Sequence, residues 1–288
     1  MTLKHIKASF IKQFRGRNAS ICRVILTTAI AFIIVTSLLI TSVISDLSSR
    51  SHSPSAYSGG GASVSAMKVI ETTAKTQKSY SKQIAITFDD GPHNIYTKSI
   101  VDELEKYGFH ATFFVVGNRA DGTDYNGKAT LKYVLDNGHE VGIHGYTHKK
   151  YYDTCSNEDY KIELDKTLAA IKAQSSNYNV KLMRPVGGAI TQERISACQY
   201  SVIMWDVDSL DWKYKGTSES QQENVDTIVN NVMSGLSDGS IILMHDLYEN
   251  TYEALKIILE KITAEGYEVV TVSELLGNAQ AGVRYSRK

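Results

Sequence analysis

From residue 83 to residue 271 the chain alternates short apolar runs with longer amphipathic stretches, and no other feature limits its fold so strongly. Ile84-Ala85-Ile86-Thr87-Phe88 reads as a strand. Residues 99–107 place Ile100, Val101, Leu104 and Tyr107 on one side of a helix that Gly108 ends. Residues 111–116 are a dense apolar run, a buried strand, and residues 140–143 give the next one. Between them, residues 131–135 suggest a helix stopped by Asn137-Gly138. An amphipathic helix is predicted over 158–172, and further strands over 181–183, 202–205 and 241–244. Helical stretches near 192–197, 225–236 and 251–264 separate or follow them, and a strand over 268–271 closes the series. Alternating strand and helix calls for parallel strands with helical crossovers. About seven such units, without a phosphate-cradling glycine loop, favour a barrel over a doubly wound dinucleotide fold.

The 288 residues carry no formal net charge, which gives no general reason to expect a nucleic-acid partner. Charge is uneven, however: Lys4, Lys7, Lys12, Arg15, Arg17 and Arg23 occur in an N-terminal stretch with no acidic residue. The run from Val24 to Ile44 that follows is apolar and uncharged. As a helix it would be about 32 Å long, enough to cross a hydrocarbon core of roughly 30 Å. A cleaved signal peptide has a shorter apolar core, about 7–15 residues, and a small-residue cleavage site. No clean Ala-x-Ala follows here, so an uncleaved single-pass anchor is expected, its basic flank in the cytoplasm and everything beyond about Asp46 outside. The expected division is a basic cytoplasmic tail (1–23), a transmembrane anchor (24–44), a Ser/Gly-rich tether (45–82) holding Gly59-Gly60-Gly61, a globular domain (83–276) and a loose C-terminal tail (277–288). Cys155 and Cys198 are available for one disulfide if the domain is exported, but spacing alone does not test the geometry. The 17 tyrosines suit either a carbohydrate-facing surface or strand-rich packing.

Parallel barrels place their chemistry at the C-terminal ends of strands, so polar residues directly after apolar runs carry the functional reading. Asp89-Asp90-Gly91-Pro92 follows the first strand; adjacent carboxylates are tolerable there if one binds a cation and the other pairs with a base. His144-Gly145-Tyr146-Thr147-His148 follows residues 140–143, and imidazoles four apart fall on one face of a helical turn, where they can grip one metal ion. Two histidines and one aspartate leave positions open for water, as a catalytic site requires. Arg184-Pro185-Val186-Gly187-Gly188 offers an arginine to pair with an aspartate, and small residues that let backbone N–H groups approach a substrate oxygen. Asp208-Ser209-Leu210-Asp211-Trp212 and Met244-His245-Asp246 supply an imidazole and a carboxylate, the usual construction of a general acid. Each motif alone also reads as an ordinary turn or surface residue.

Together, and in this order, the motifs resemble those of the polysaccharide deacetylase family with its NodB homology domain. The matching text is Thr87-Phe88-Asp89-Asp90-Gly91-Pro92, His144-x-x-x-His148, Arg184-Pro185, Asp208-x-x-Asp211-Trp212 and Leu243-x-His245-Asp246. Gly108-x-x-Ala111-Thr112-Phe113-Phe114-Val115-x-Gly117 and Gly138-His139-Glu140-Val141-Gly142 look similar too. The resemblance runs from about Gln83 to Leu276 and implies a distorted (β/α) barrel with fewer than eight repeats. It implies Asp89 as general base, Asp90, His144 and His148 as ligands of one divalent metal, and Arg184 as the partner of the base. It also implies His245 as general acid tuned by Asp211, with Trp212 and Leu243 walling an acetyl pocket. Gly187 falls where many relatives have a tyrosine whose backbone N–H holds the oxyanion.

The implied activity is removal of acetyl groups from an N-acetylated polysaccharide outside the cell membrane, peptidoglycan N-acetylglucosamine first, with chitin oligomers and poly-N-acetylglucosamine open. Zinc is the expected metal; cobalt, manganese and nickel also suit the site. The expected partners are the polysaccharide and the membrane, with no protein partner predicted. Two departures bear on the site. Gly145 stands where relatives usually have Ser or Thr, removing a hydroxyl that steadies the site. Val186-Gly187 replaces the commoner Pro-Tyr, so the groove is expected to lose an aromatic wall. Two rival readings are a non-catalytic saccharide-binding module and a non-haem iron oxygenase, since two histidines and one carboxylate also suit iron.

Overall fold

The computed structural model of the protein describes residues 80–122, 126–215 and 221–288, all within the compact unit Ala74–Lys288. The elements in chain order are β1 (Lys82–Asp89), α1 (Tyr96–Glu105), β2 (Thr112–Val115), α2 (Gly117–Ala120), α3 (Gly127–Asp136), β3 (Glu140–Ile143), α4 (Asn157–Gln174), β4 (Leu182–Met183) and α5 (Gln192–Ala197). There follow β5 (Ser201–Ile203), β6 (Val207–Asp208), α6 (Gln221–Gly235), β7 (Ile241–His245), α7 (Glu249–Ala264), β8 (Tyr267–Val269), α8 (Val272–Leu276) and β9 (Arg284–Tyr285). Short 3₁₀ turns occur at Val186–Gly188 and Asp211–Lys213. The strands form one sheet in the order β6-β7-β1-β2-β3-β4-β5-β9, with β8 on the first half of β1. All these pairings are parallel.

The two ends of that order approach one another. After β9, which pairs with β5, Arg287 bridges to Ser240 and the Lys288 amide donates to the Gly239 carbonyl, just ahead of β7. The sheet is therefore wrapped, and the arrangement is the parallel, barrel-like α/β fold that the alternation predicts. Alternation along β1 sorts its two faces. Ile84, Ile86 and Phe88 pack outward in the large core shared with the helices. Ala85 belongs to a smaller inner core with Phe114, Leu182, Ile203 and Ile241, which Val272 and Leu275 of α8 plug. Thr87 and Asp89 continue the inward column toward the C-terminal end of the sheet. Leu243 and His245 run beside them on β7, in register with Thr87 and Asp89.

The helices form for ordinary reasons. In α7, Ala254, Leu255, Ile258, Leu259 and Ile262 are buried at helical spacing. The Ser156 side chain caps α4 by accepting from the Asp159 amide, with Glu158 and Asp159 in the first turn. α8 opens on a reciprocal capping box between Thr271 and Glu274.

Two expectations need correction. The strand expected over 202–205 ends at Ile203, and the chain then crosses to the far end of the sheet, where β6 lies against β7. The residues after Gly277 are not a loose tail, because β9 extends the sheet and residues 287–288 tie down its far end. Cys155 and Cys198 are both free thiols. No helix among the described residues is long and apolar enough to cross a membrane. The expected anchor (24–44), the basic tail and residues 45–79 of the tether lie outside the described residues.

Candidate functional site

Strand alternation would send Asp89 and Asp90 to opposite faces. They converge because Asp90 leaves the strand with a left-handed backbone, φ 76°, a conformation that Asp tolerates better than most residues. As a result Asp89 Oδ2 lies 3.6 Å and Asp90 Oδ1 3.4 Å from the same atom, His144 Nε2. His148 Nε2 is 2.9 Å from Asp90 Oδ1. One donor atom from each of Asp90, His144 and His148 lies within 4.8 Å of the others.

This group suits a cation. Asp90 Oδ1 is buried and meets no hydrogen-bond donor in good alignment. His144 Nδ1 is 2.9 Å from the Arg184 carbonyl; a carbonyl only accepts, so Nδ1 carries the hydrogen and Nε2 turns its lone pair to the cluster. Burial opposes ionisation of Asp90, but the two imidazoles outweigh it and hold the carboxyl below the ordinary range. Burial likewise opposes a charged His144, and Asp89 and Asp90 outweigh it, raising its pKa. Surroundings that favour a proton on Nε2 favour a metal ion there for the same electrostatic reason. Two nitrogens and one carboxylate oxygen match zinc, cobalt or nickel better than an all-oxygen magnesium site.

The expectation that His144 and His148 share a helical turn does not hold. Residues 144–148 form an irregular loop with positive φ at Gly145 (81°) and His148 (58°). The pair still meets, with ring centroids 5.3 Å apart, because the loop folds back on itself.

Arg184, at the end of β4, is fully buried. Its Nη1 donates to Asp89 Oδ1 at 2.8 Å and Thr87 Oγ1 at 2.7 Å. Its Nε and Nη2 donate to the Ile203 and Met204 carbonyls. The guanidinium also lies 4.3 Å from the centre of the Phe114 ring. Asp89 is thereby fixed at the rim of the inner column.

Across from Asp89, His245 Nδ1 lies 2.7 Å from Asp211 Oδ1. Asp211 Oδ2 accepts from the His245 amide and from Thr251 Oγ1, each at 2.7 Å. Burial opposes a charged His245, but the Asp211 bond and the nearby carboxylates outweigh it and push its pKa up to about 9. A bound cation would act against this increase. Trp212 is 44% exposed at the rim and Leu243 is buried below His245. Gly187 has φ 60°, and a Cβ there would lie 3.1 Å from the Tyr151 ring. The Tyr151 ring, from the loop ahead of α4, thus lies directly beside Gly187.

All ten expected site residues thus lie at or beside strand ends on one side of the sheet. Sequence reasoning missed Glu163, Thr251 and Thr97, and gave Asp246, quoted in a motif, no role of its own. Asp246 is buried, accepts from Thr97 Oγ1 and is pushed up to about 7, mainly by burial. Glu163 left one usable signal: an acid in step with Thr167 and Ala170 on the buried face of α4.

Comparison with known proteins points to one family. Residues 76–201 match the family described as polysaccharide deacetylase; the matched stretch holds Asp89, Asp90, His144, His148 and Arg184 and stops short of Asp211 and His245. The peptidoglycan-N-acetylglucosamine deacetylase PgdA of Listeria monocytogenes is 35% identical over 226 residues, which are 78% of this chain and 45% of that protein. The chain thus spans less than half the length of that relative. The structure of peptidoglycan deacetylase PdaC from Bacillus subtilis superposes with a TM-score of 0.61 at 39% identity, covering 68% of this chain and 90% of that one. A family 4 acetyl xylan esterase from Clostridium thermocellum, solved with a cobalt ion, gives a TM-score of 0.63 at 28% identity over 72% of this chain and 98% of that one.

Proposed function

The chain belongs to the polysaccharide deacetylase family, and from that premise we propose that residues 83–276 are a metal-dependent hydrolase domain. Its reaction removes N-acetyl groups from an extracytoplasmic polysaccharide, foremost peptidoglycan N-acetylglucosamine. The observation that carries this reading is the pairing of Asp89 with His245 beside the Asp90–His144–His148 cluster. One is a carboxylate held by Arg184, the other an imidazole held by Asp211, and they are neighbours across β1 and β7. A non-catalytic module has no need of both pairs, and an oxygenase has no use for a separate general acid.

A divalent metal held by Asp90, His144 and His148 supplies Lewis acidity for the acetamide carbonyl and for an attacking water. Asp89, kept in place by Arg184, takes the proton from the water as it adds to the carbonyl carbon. His245 donates its Nε2 proton to the departing nitrogen, and Asp211 holds the ring while its charge changes. The C–N bond breaks, leaving acetate and a free amine. Gly187 and Trp212 line the approach, with Leu243 beneath. The Listeria relative supports the peptidoglycan substrate, and the cobalt-bound esterase supports a divalent transition metal, with zinc as our assignment.

Purified protein loaded with zinc is expected to release acetate from peptidoglycan faster than from chitin oligomers or xylan. His148→Ala should lose metal and activity together. Full zinc occupancy in that variant would remove His148 from the site, and no acetate from any glycan would end the hydrolase reading.

We assign residues 24–44 as an uncleaved anchor with the N-terminus in the cytoplasm, on the length of the apolar run and its basic flank. Mass spectrometry of the membrane fraction should find the intact N-terminus. A mature chain starting near Leu47 would make the segment a signal peptide instead.

A further inference from the structure

The loop from His144 to His148 has to present two imidazoles to one ion although it has no regular hydrogen bonding of its own. Its partners are divided by polarity. The Gly145 and Tyr146 carbonyls accept from the Gly117 and Asn118 amides at the start of α2. The Tyr146 and Thr147 amides donate to one carboxylate oxygen, Glu163 Oε2, at 2.6 and 2.8 Å. The other oxygen, Oε1, accepts from Thr147 Oγ1 at 2.7 Å. Glu163 is only 3% exposed, near the middle of α4. A buried carboxylate is costly unless hydrogen-bonded, and here its bonds go to the two residues in the middle of the loop.

The loop glycine fits this arrangement. A Cβ on Gly145 would lie 2.9 Å from the Tyr152 hydroxyl and 3.1 Å from Glu163 Oε2, and the residue's φ is 81°. A side chain at 145 would therefore make Glu163 or Tyr152 shift and would sit on a strained backbone.

We propose that Glu163 is a positioning residue for the metal centre, holding the His144–His148 loop from the adjacent helix, and that Gly145 is bare to admit it. The inference rests on the metal-centre reading above. It reverses the expectation from sequence that a hydroxyl at 145 would steady this site. In this chain Gly145→Ser displaces Glu163 or Tyr152 and loosens the loop.

Zinc affinity of the full chain, measured by competition with a chromophoric chelator, tests this, together with the visible spectrum of the cobalt-loaded protein. Losing a support behind metal ligands typically costs about 10–100-fold in affinity. Glu163→Ala should fall in that range, and Glu163→Gln, which keeps one acceptor oxygen, should lose less. Gly145→Ser should also bind zinc more weakly. The cobalt spectrum should change in all three while apo-protein circular dichroism stays native. If Glu163→Ala fails to fold, the graded loss in Glu163→Gln carries the test. Wild-type zinc affinity in both Glu163 variants, or tighter zinc binding in Gly145→Ser, would overturn the proposal. A wild-type chain that takes up no zinc would take down the metal-centre reading and this inference with it.

Discussion

His245→Ala is expected to lower the rate of deacetylation by about 10²–10⁴, the usual cost of losing a positioned general acid, and to leave bound zinc unchanged. The imidazole is not among the three grouped donors, so its loss should not open the metal site. Its pKa of about 9 follows from the Asp211 bond and the nearby carboxylates prevailing over burial. The proton donor is therefore lost as pH rises through about 9, somewhat lower once a cation is bound nearby. The basic limb of the rate profile should vanish or move in the variant. The same shift has a consequence for folding. A group whose folded pKa is raised contributes stability that is fully present below its unfolded value, about 6.5. That contribution disappears as pH climbs through about 9. Urea denaturation of the metal-free chain at pH 6 and pH 10 should show this loss in the wild type and less of it in His245→Ala. Asp89→Asn should be slowed at least as severely yet keep its metal, because Asp90 is the proposed ligand. Near-normal turnover by His245→Ala would sink the acid assignment, and zinc loss from Asp89→Asn would mean that the two aspartates exchange roles.

Arg184→Met should destabilise the fold by about 3–5 kcal/mol, the range for removing one partner of a buried ion pair. The side chain has four hydrogen bonds that reach two strands or their ends: Thr87 and Asp89 on β1, Ile203 on β5, and Met204 just beyond it. Methionine fills much of the volume, but leaves Asp89 unpaired in a buried place and two carbonyls without donors. Lysine should not restore stability, because a single ammonium cannot reproduce the planar fork. The double variant Asp89→Asn/Arg184→Met should lose less than the sum of the single losses, since the orphaned charge is gone. Chemical denaturation measures all four chains. A loss below about 1 kcal/mol for Arg184→Met would place the pair in a solvated setting that its complete burial excludes.

Much of this was legible beforehand for a physical reason. Strands buried on both faces have to be continuously apolar, so β1, β2, β3 and β7 announce themselves, and a polar residue after such a run marks the strand's end. Hence Asp89, His144, Arg184 and His245 were found from their positions. The two-residue strands β6 and β9 carry no periodicity, and their place comes from pairings with distant β7 and β5. The geometry of residues 144–148 was misread because a four-residue spacing fits a helical turn and a folded-back loop alike. What decides between them is Glu163, which in sequence is one more acid in an amphipathic helix. Tyr151 was hidden similarly: nothing local connects it to Gly187.

Two of the three residues of the candidate ion site, Asp90 and His148, sit in left-handed backbone. That conformation costs most side-chain-bearing residues roughly 1–2 kcal/mol relative to the right-handed one, and aspartate less. Glycine at either position would relieve that strain, yet it would also remove a donor from the candidate ion site. The aspartate and histidine at these positions thus hold the candidate ion site together at the expense of the scaffold that carries it.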